Sequence, residues 1–167
     1  MKNRLILKPL KKGDIGNIMN WVNDPEIVKN FQNFKGFTRS EELKFIKKIL
    51  KSKNDRVFSI FRRSDGKYIG QCAINQISPQ NKLGRFGIFI TKENWGNGFA
   101  EEAIGHLLHI AFSKLKLHKV WGVCWVTNKK AWHIYQKLGF KKEGILKDEY
   151  YWHGRYHDLI RMTVIKK

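Results

Sequence analysis

The segment Trp95-Gly96-Asn97-Gly98-Phe99-Ala100 holds the residue types best suited to grip an anion. It follows the apolar run Ile88-Phe89-Ile90. It precedes Ala103, Ile104, Leu107 and Leu108, which recur at helical spacing. A strand that ends in a glycine turn and opens a helix leaves backbone N–H groups unpaired at the positive end of the helix dipole. Glycine adds positive φ and close backbone approach, which together can cradle a phosphate. The spacing is not that of a P-loop, because no Gly-Lys-Ser/Thr follows. It is not a dinucleotide fingerprint either, because the third glycine is missing. A tight strand-to-helix turn without a ligand is the plain alternative, and the flanking strand and helix favour phosphate.

A second segment, Asn128-Lys129-Lys130-Ala131-Trp132-His133-Ile134-Tyr135-Gln136-Lys137-Leu138-Gly139-Phe140, follows an apolar strand. Helical spacing puts Asn128, Ala131 and Tyr135 on one face. A polar, a small and a phenolic residue on one stripe can line a groove beside a cofactor. Spacing alone favours a plainer reading, in which Asn128 caps the helix and Tyr135 is a core aromatic with a wet tip. Metal chemistry is not expected. His106 and His109 lie three apart, and His153 and His157 flank Gly154, but neither pair has a third ligand nearby. Cys72 and Cys124 sit in apparent strands without metal-ligand spacing and read as reduced intracellular thiols.

The elements that must position these segments follow from periodicity. Arg4 to Leu10 reads as an edge strand. Asp14 takes the N-cap position before a short helix over Ile15, Ile18, Met19 and Trp21-Val22, and Asn23-Asp24-Pro25-Glu26 breaks it. Thr38-Arg39-Ser40-Glu41 is a capping box. Leu43, Ile46, Ile49 and Leu50 form the apolar face of the next helix, with Phe45 at its margin. Strands at 57–61, 68–77 and 84–90 make a meander. Ser64-Asp65-Gly66-Lys67 turns the first pair. A helix from Ala100 to Phe112, a strand from Lys119 to Val126, a helix from Ala131 to Leu138 and two final strands complete the order. The class is α/β (α+β): one domain, residues 1–167, around a mixed sheet.

The 167 residues suit one core, and apolar residues make up 42%. The N-terminus has no signal-peptide core, and no run is long enough to span a bilayer, so a cytoplasmic protein is expected. The bulk oddity is charge: Lys plus Arg number 33 against 14 Asp plus Glu, net +19. Such a field attracts anions, nucleic acid or a ribosome, and compositional bias toward lysine codons explains it equally well.

Taken together, the two segments resemble the GNAT acetyltransferase superfamily. The pattern is Gly-x-Gly-x-Ala, then, about thirty residues on, Asn-x-x-Ala-x-x-x-Tyr-x-Lys-x-Gly-Phe. The chain is most similar to the branch of ribosomal-protein alanine and spermidine N-acetyltransferases. Trp21-Val22-Asn23-Asp24-Pro25, Gly144-Ile145-Leu146-Lys147-Asp148 and His153-Gly154-Arg155 support that. The resemblance implies about seven strands with a splayed pair, about four helices, and acetyl-CoA (coenzyme A) as cofactor. It implies that Ile88, Phe89 and Ile90 pair with the pantetheine arm. Trp95, Gly96, Asn97, Gly98, Phe99 and Ala100 would hold the pyrophosphate. Asn128, with Ala131 and Lys137 on the same helix, would line the cofactor groove, and Tyr135 would be the general acid. Many members carry Gln or Arg where Glu93 stands, so Glu93 should point away from phosphate.

The implied reaction is direct attack of a primary amine on the thioester, with the amine on a small molecule or a peptide. Polyamine and protein N-terminal amines come first as acceptors, and a nucleotide-linked amino sugar is the alternative. Asp24, Glu26, Phe31, Phe34 and Glu41 are candidate substrate residues. Glu102 joins Asp24, Glu26 and Glu41 as a candidate base. A homodimer is a possible assembly. In a reading of another class, the same scaffold binds a ribosome or nucleic acid without catalysis.

Overall fold

A computed structural model describes residues 3–28, 36–152 and 154–166. Among these residues seven strands form one mixed sheet: β1 (Leu5–Pro9), β2 (Arg56–Arg62), β3 (Tyr68–Ser78), β4 (Leu83–Ile90), β5 (Lys119–Trp125), β6 (Lys141–Trp152) and β7 (Arg155–Ile165). Their spatial order is β1-β2-β3-β4-β5-β7-β6. β1 is an edge strand, as its sequence predicts. Every pairing is antiparallel except β4 with β5. The helices are α1 (Ile15–Met19), α2 (Pro25–Val28), α3 (Arg39–Lys51), α4 (Phe99–His109) and α5 (Lys129–Lys137). Among the described residues that makes five, where about four are expected. α1 stops at Met19, short of the expected Trp21-Val22, and Pro25 is a good first residue for a new helix, so the expected break at Asn23–Glu26 opens α2.

The two sheet faces have separate roles. Side chains alternate along β4, so Phe86, Ile88 and Ile90 face one way and Arg85, Gly87 and Phe89 the other. The first face packs on α4 and α5, and its core includes Ile74, Phe86, Ile90, Ala103, Ile104, Leu107, Val120 and Met162. The second face takes α1 and α3 through Leu10, Ile15, Ile18, Val22 and Ile46. Thr38 caps α3 reciprocally with Glu41, the expected capping box. Ile46 is fully buried, but Leu50 is half exposed, contrary to its expected place on the apolar face. It stands about 100° around the helix from Ile49, which does pack on the core. Asp14 occupies the N-cap position of α1, yet its carboxylate accepts from Lys11 N (3.0 Å) and Ser59 Oγ (2.8 Å). It therefore ties α1 to β2.

The feature that makes a site is the parting of β4 and β5. They pair only at Leu83↔Lys119, Gly84↔Val120 and Arg85↔Trp121. Phe86, the next residue, lays its ring over Gly122. A Cβ there would come within 2.3 Å of Phe86 Cε1. The ring also rests on Phe140, 4.7 Å between centroids. Past this wedge the strands diverge into a V, and the pairing of β4 with β5 ends at Arg85.

Candidate active site

The glycine turn lies at the open end of β4. Gly96 and Gly98 have φ of 79° and 73°, and Gly98 is the N-cap residue of α4. No side chain caps that end, so the first N–H groups of α4 face outward with the helix dipole behind them. A Cβ at Gly96 would meet nothing within 4 Å. The cradle is open and suits a pyrophosphate.

The turn is braced from three sides. Trp95 Nε1 donates to Ile90 O at 2.7 Å, which ties the turn to the end of β4. Asn97 Nδ2 donates to Asn94 O (3.3 Å) and Trp95 O (3.1 Å). Buried Asn94 donates to Thr91 Oγ1 at 2.9 Å and accepts from Arg62 Nη1 at 3.1 Å. The third brace is Arg4. Its backbone N and its Nε donate to the two Glu102 carboxylate oxygens, at 2.6 and 2.8 Å. Its Nη1 donates to Asn97 O at 3.1 Å, and the guanidinium lies 4.7 Å from the centre of the Phe99 ring. Burial raises the Glu102 carboxyl, but the Arg4 hydrogen bonds outweigh it and hold the group below its ordinary value. Glu102 is thus committed to Arg4, which removes it as a candidate base.

Across the V, Asn128 Oδ1 accepts from Ala131 N at 3.1 Å and caps α5, the plainer of its two readings. Ala131 is half-buried and Lys137 is exposed in the last turn. Tyr135 packs edge-on against Phe86, 5.1 Å between centroids, at the closed end of the V. Burial, then the nearby Cys124, pushes the phenol well above its usual value. Cys124 is itself raised to about 11 by burial. Tyr135 therefore sits at the closed end of the V on the side of α4, and Asn128 and Ala131 begin the helix that follows β5.

A cleft of about 130 Å³ opens on the other face, beside the end of β4. Asn17, Asn20, Trp21, Asp24, Ile27, Tyr68, Thr91 and Glu93 line it. The Trp21 ring lies on Phe89, 3.5 Å between centroids, and its Nε1 donates to Tyr68 Oη at 3.1 Å. Burial above all raises the Tyr68 phenol, while the Trp21 bond opposes the shift. Glu93 and Asp24 share this cleft, so Glu93 belongs to the face opposite α4, as expected for a carboxylate near a phosphate site.

Other predicted residues fall elsewhere. Glu41 caps α3, accepting from Thr38 N and Oγ1 at 2.8 Å each. Glu26 is exposed on α2, and its N–H donates to Asp24 Oδ1 at 2.9 Å. Glu42 is buried, and burial raises its carboxyl. Phe31 and Phe34 lie outside the described residues. No cluster of three metal-ligating side chains occurs among the described residues. Sequence reasoning missed Arg4, Tyr68 and the stacking role of Trp21. A lone arginine before an edge strand and a tyrosine after a hairpin carry no local signal.

Residues 4–141 match the family described as acetyltransferase (GNAT) domain. The chain is 32% identical to spermidine N(1)-acetyltransferase of Vibrio cholerae, over 99% of this chain and 95% of that one. The crystal structure of spermidine N-acetyltransferase from Vibrio cholerae in complex with CoA and spermine superposes with a TM-score of 0.93. Identity there is 30%, over 98% of this chain and 96% of that chain. A dodecameric structure of the Vibrio cholerae enzyme, in an intermediate state, gives a TM-score of 0.85 at 29% identity, over 98% and 95%.

Proposed function

The chain belongs to the GNAT acetyltransferase family and is an acetyl-coenzyme A-dependent N-acetyltransferase, and from that premise we propose that it acetylates a terminal primary amine of a small aliphatic, polyamine-type acceptor. The observation that carries this reading is the V between β4 and β5, with an open glycine cradle at one end and the half-buried Tyr135 at the other. The polyamine class is supported by the spermidine-acetylating relative and by the carboxylates Asp24 and Glu93 in the cleft.

The residues fit the cofactor. N–H groups from Gly98 through Ala100 would hold the pyrophosphate, and Ile88, Phe89 and Ile90, on the stretch of β4 that has parted from β5, would meet the pantetheine arm. Asn128 and Ala131 would bound the groove on the α5 side. Acetyl-CoA supplies the thioester carbonyl and the leaving thiolate. The chain supplies position and a proton. Two partners held in one V gain the entropy advantage of an intramolecular reaction. Tyr135 keeps its proton at neutral pH, because burial disfavours the phenolate. Its Oη is the proton donor of this reading. On the other face, Trp21 against Phe89 forms an apolar wall for the acceptor, and Asp24 and Glu93 attract its ammonium groups.

Thermal shift with acetyl-CoA, followed by an amine panel monitored by thiol release, tests the proposal. A shift of several degrees and turnover of at least one aliphatic amine are expected. No shift at saturating acetyl-CoA overturns it. Salt-sensitive RNA binding in its place favours the ribosome or nucleic-acid reading that the charge of +19 suggests. Self-association would follow the dodecameric relative, and sedimentation reads it directly.

A further inference from the structure

Glycine inside a strand weakens it, so each one there has a reason to be found. Among the described residues the strand glycines are Gly70, Gly84, Gly87, Gly122 and Gly144. A Cβ at Gly70 would come within 2.3 Å of Phe89 O, at Gly84 within 2.6 Å of Ile74, and at Gly122 within 2.3 Å of Phe86. Close packing accounts for these. Gly144 stands at the register shift after Lys142, where a bulge accounts for it. Gly87 has neither reason. A Cβ there would meet nothing within 4 Å. Its φ is not left-handed, and its pairing with Ala73 is regular. A strand glycine of this kind marks a place where a ligand comes close to the backbone.

Position indicates which ligand. Phe86, the preceding residue, touches Tyr135 on the α4 face. Ile88 and Ile90 pack into the core on that same face, so an acceptor reaches the V from the other face. There Gly87 is half-buried, between Arg85 and Phe89 along the strand and opposite buried Ala73. It is the first position on this face beyond Arg85–Trp121, the last rung that joins β4 to β5. With the pyrophosphate at the glycine turn and the cofactor arm running back along the V, the thioester comes to lie between Tyr135 and Gly87.

We propose that Gly87 is the port through which the reacting amine of the acceptor reaches the thioester, and that the face of β4 from Gly87 to the acidic cleft measures the acceptor's length. The inference rests on the acetyltransferase reading above and adds a place for the attacking nitrogen and a spacing to the second one. From Gly87 to Thr91, in the wall of the cleft, the strand advances about 13 Å at roughly 3.3 Å per residue. Phe89 stands midway with the Trp21 ring on it, an apolar surface for methylene groups. Asp24 and Glu93 lie at the far end. An eight-carbon chain between two nitrogens extends to about 11 Å, from single bonds of about 1.5 Å. Spermidine has the same span between its terminal nitrogens. An acceptor of that length sets one nitrogen at Gly87 and leaves the other as an ammonium at the carboxylates. A four-carbon diamine, about 6 Å when extended, reaches only one of the two.

The test uses Gly87→Ala and Gly87→Val, with thiol release read at saturating acetyl-CoA. Both variants should melt at or above the wild-type temperature, because the space is open and a side chain strengthens a strand. Both should keep the acetyl-CoA thermal shift. With 1,8-diaminooctane, kcat/KM should fall about tenfold or more in Gly87→Ala and further in Gly87→Val. Unchanged kcat/KM in both variants overturns the port. Loss of the acetyl-CoA thermal shift in them assigns the open space to the cofactor and overturns it too. The wild-type enzyme tests the spacing, with no variant to fold. Diamines of four, six, eight and ten carbons are each compared with the monoamine of equal length at one ionic strength. The diamine's advantage in KM should exceed about tenfold at eight or ten carbons and stay within about threefold at four. An equal advantage at every length overturns the spacing. A missing acetyl-CoA shift in the wild type takes down the enzyme reading first, before any amine is added.

Discussion

Arg4 grips Glu102 at two points, 2.6 Å through its backbone N–H and 2.8 Å through Nε, and so anchors the first turn of α4 to the N-terminal edge strand. This contact has an electrostatic consequence. Glu101 and Glu102 both stand in the first turn of α4, where a carboxylate is favoured by the dipole but competes with a phosphate for it. Arg4 neutralises the buried one.

Arg4→Gln is therefore expected to weaken acetyl-CoA binding about tenfold, roughly 1.4 kcal/mol. Arg4→Lys should recover little, because an ammonium cannot hold Glu102 and Asn97 O together. Titration calorimetry with acetyl-CoA checks this, alongside kcat at saturating cofactor, which should change less than threefold. A fall in kcat at unchanged affinity would instead place Arg4 in the chemical step.

Tyr135→Phe keeps the ring against Phe86 and removes the hydroxyl that carries the donated proton. Turnover should fall about a hundredfold, within the usual range for a general acid, while acetyl-CoA affinity stays within about twofold. Wild-type turnover in this variant removes Tyr135 from the mechanism.

Gly122→Ala tests the wedge that parts β4 from β5. The new methyl would press into the Phe86 ring, and overpacking of this kind costs about 1–3 kcal/mol. Melting temperature should drop, and the second change Phe86→Leu should recover part of it. An unaffected Gly122→Ala would show that the strands part for another reason.

Burial places both Tyr68 and Tyr135 above the ordinary phenol value. A raised folded value means that their stabilisation is complete below the unfolded value, about pH 10. Above that pH the unfolded phenols ionise first, so stability falls as pH rises toward the folded values. Melting curves from pH 8 to about 11 should steepen downward past about pH 10, and Tyr68→Phe should soften that slope. A slope that Tyr68→Phe leaves unchanged would assign the alkaline loss to other groups.

Asp24→Asn and Trp21→Ala address the cleft. Asp24→Asn should raise KM for a polyamine severalfold with little change for a neutral-tailed amine, because it removes charge and keeps shape. Trp21→Ala should raise KM for both, since it removes the wall on Phe89 and the bond to Tyr68. Steady-state kinetics with the two amines separates these outcomes.

Local chemistry in the chain determined the elements and the cofactor end of the site. Gly96 and Gly98 need positive φ, Thr38 and Glu41 need each other to start α3, and alternation along β4 needs two faces. Each of these is settled within a few residues, so the sequence alone carries it. The acceptor end was decided by tertiary structure. Glu41, Glu102 and Asp24 are equivalent carboxylates in sequence. Only folding spends the first on a helix cap, the second on Arg4, and leaves the third facing a cleft with Glu93. Arg85, Trp121 and Arg161 are likewise scattered along the chain, and strand register across three strands brings their charges onto one ring. A charge's meaning depends on what lies within a few ångströms of it, and that distance is set by pairing across the sheet.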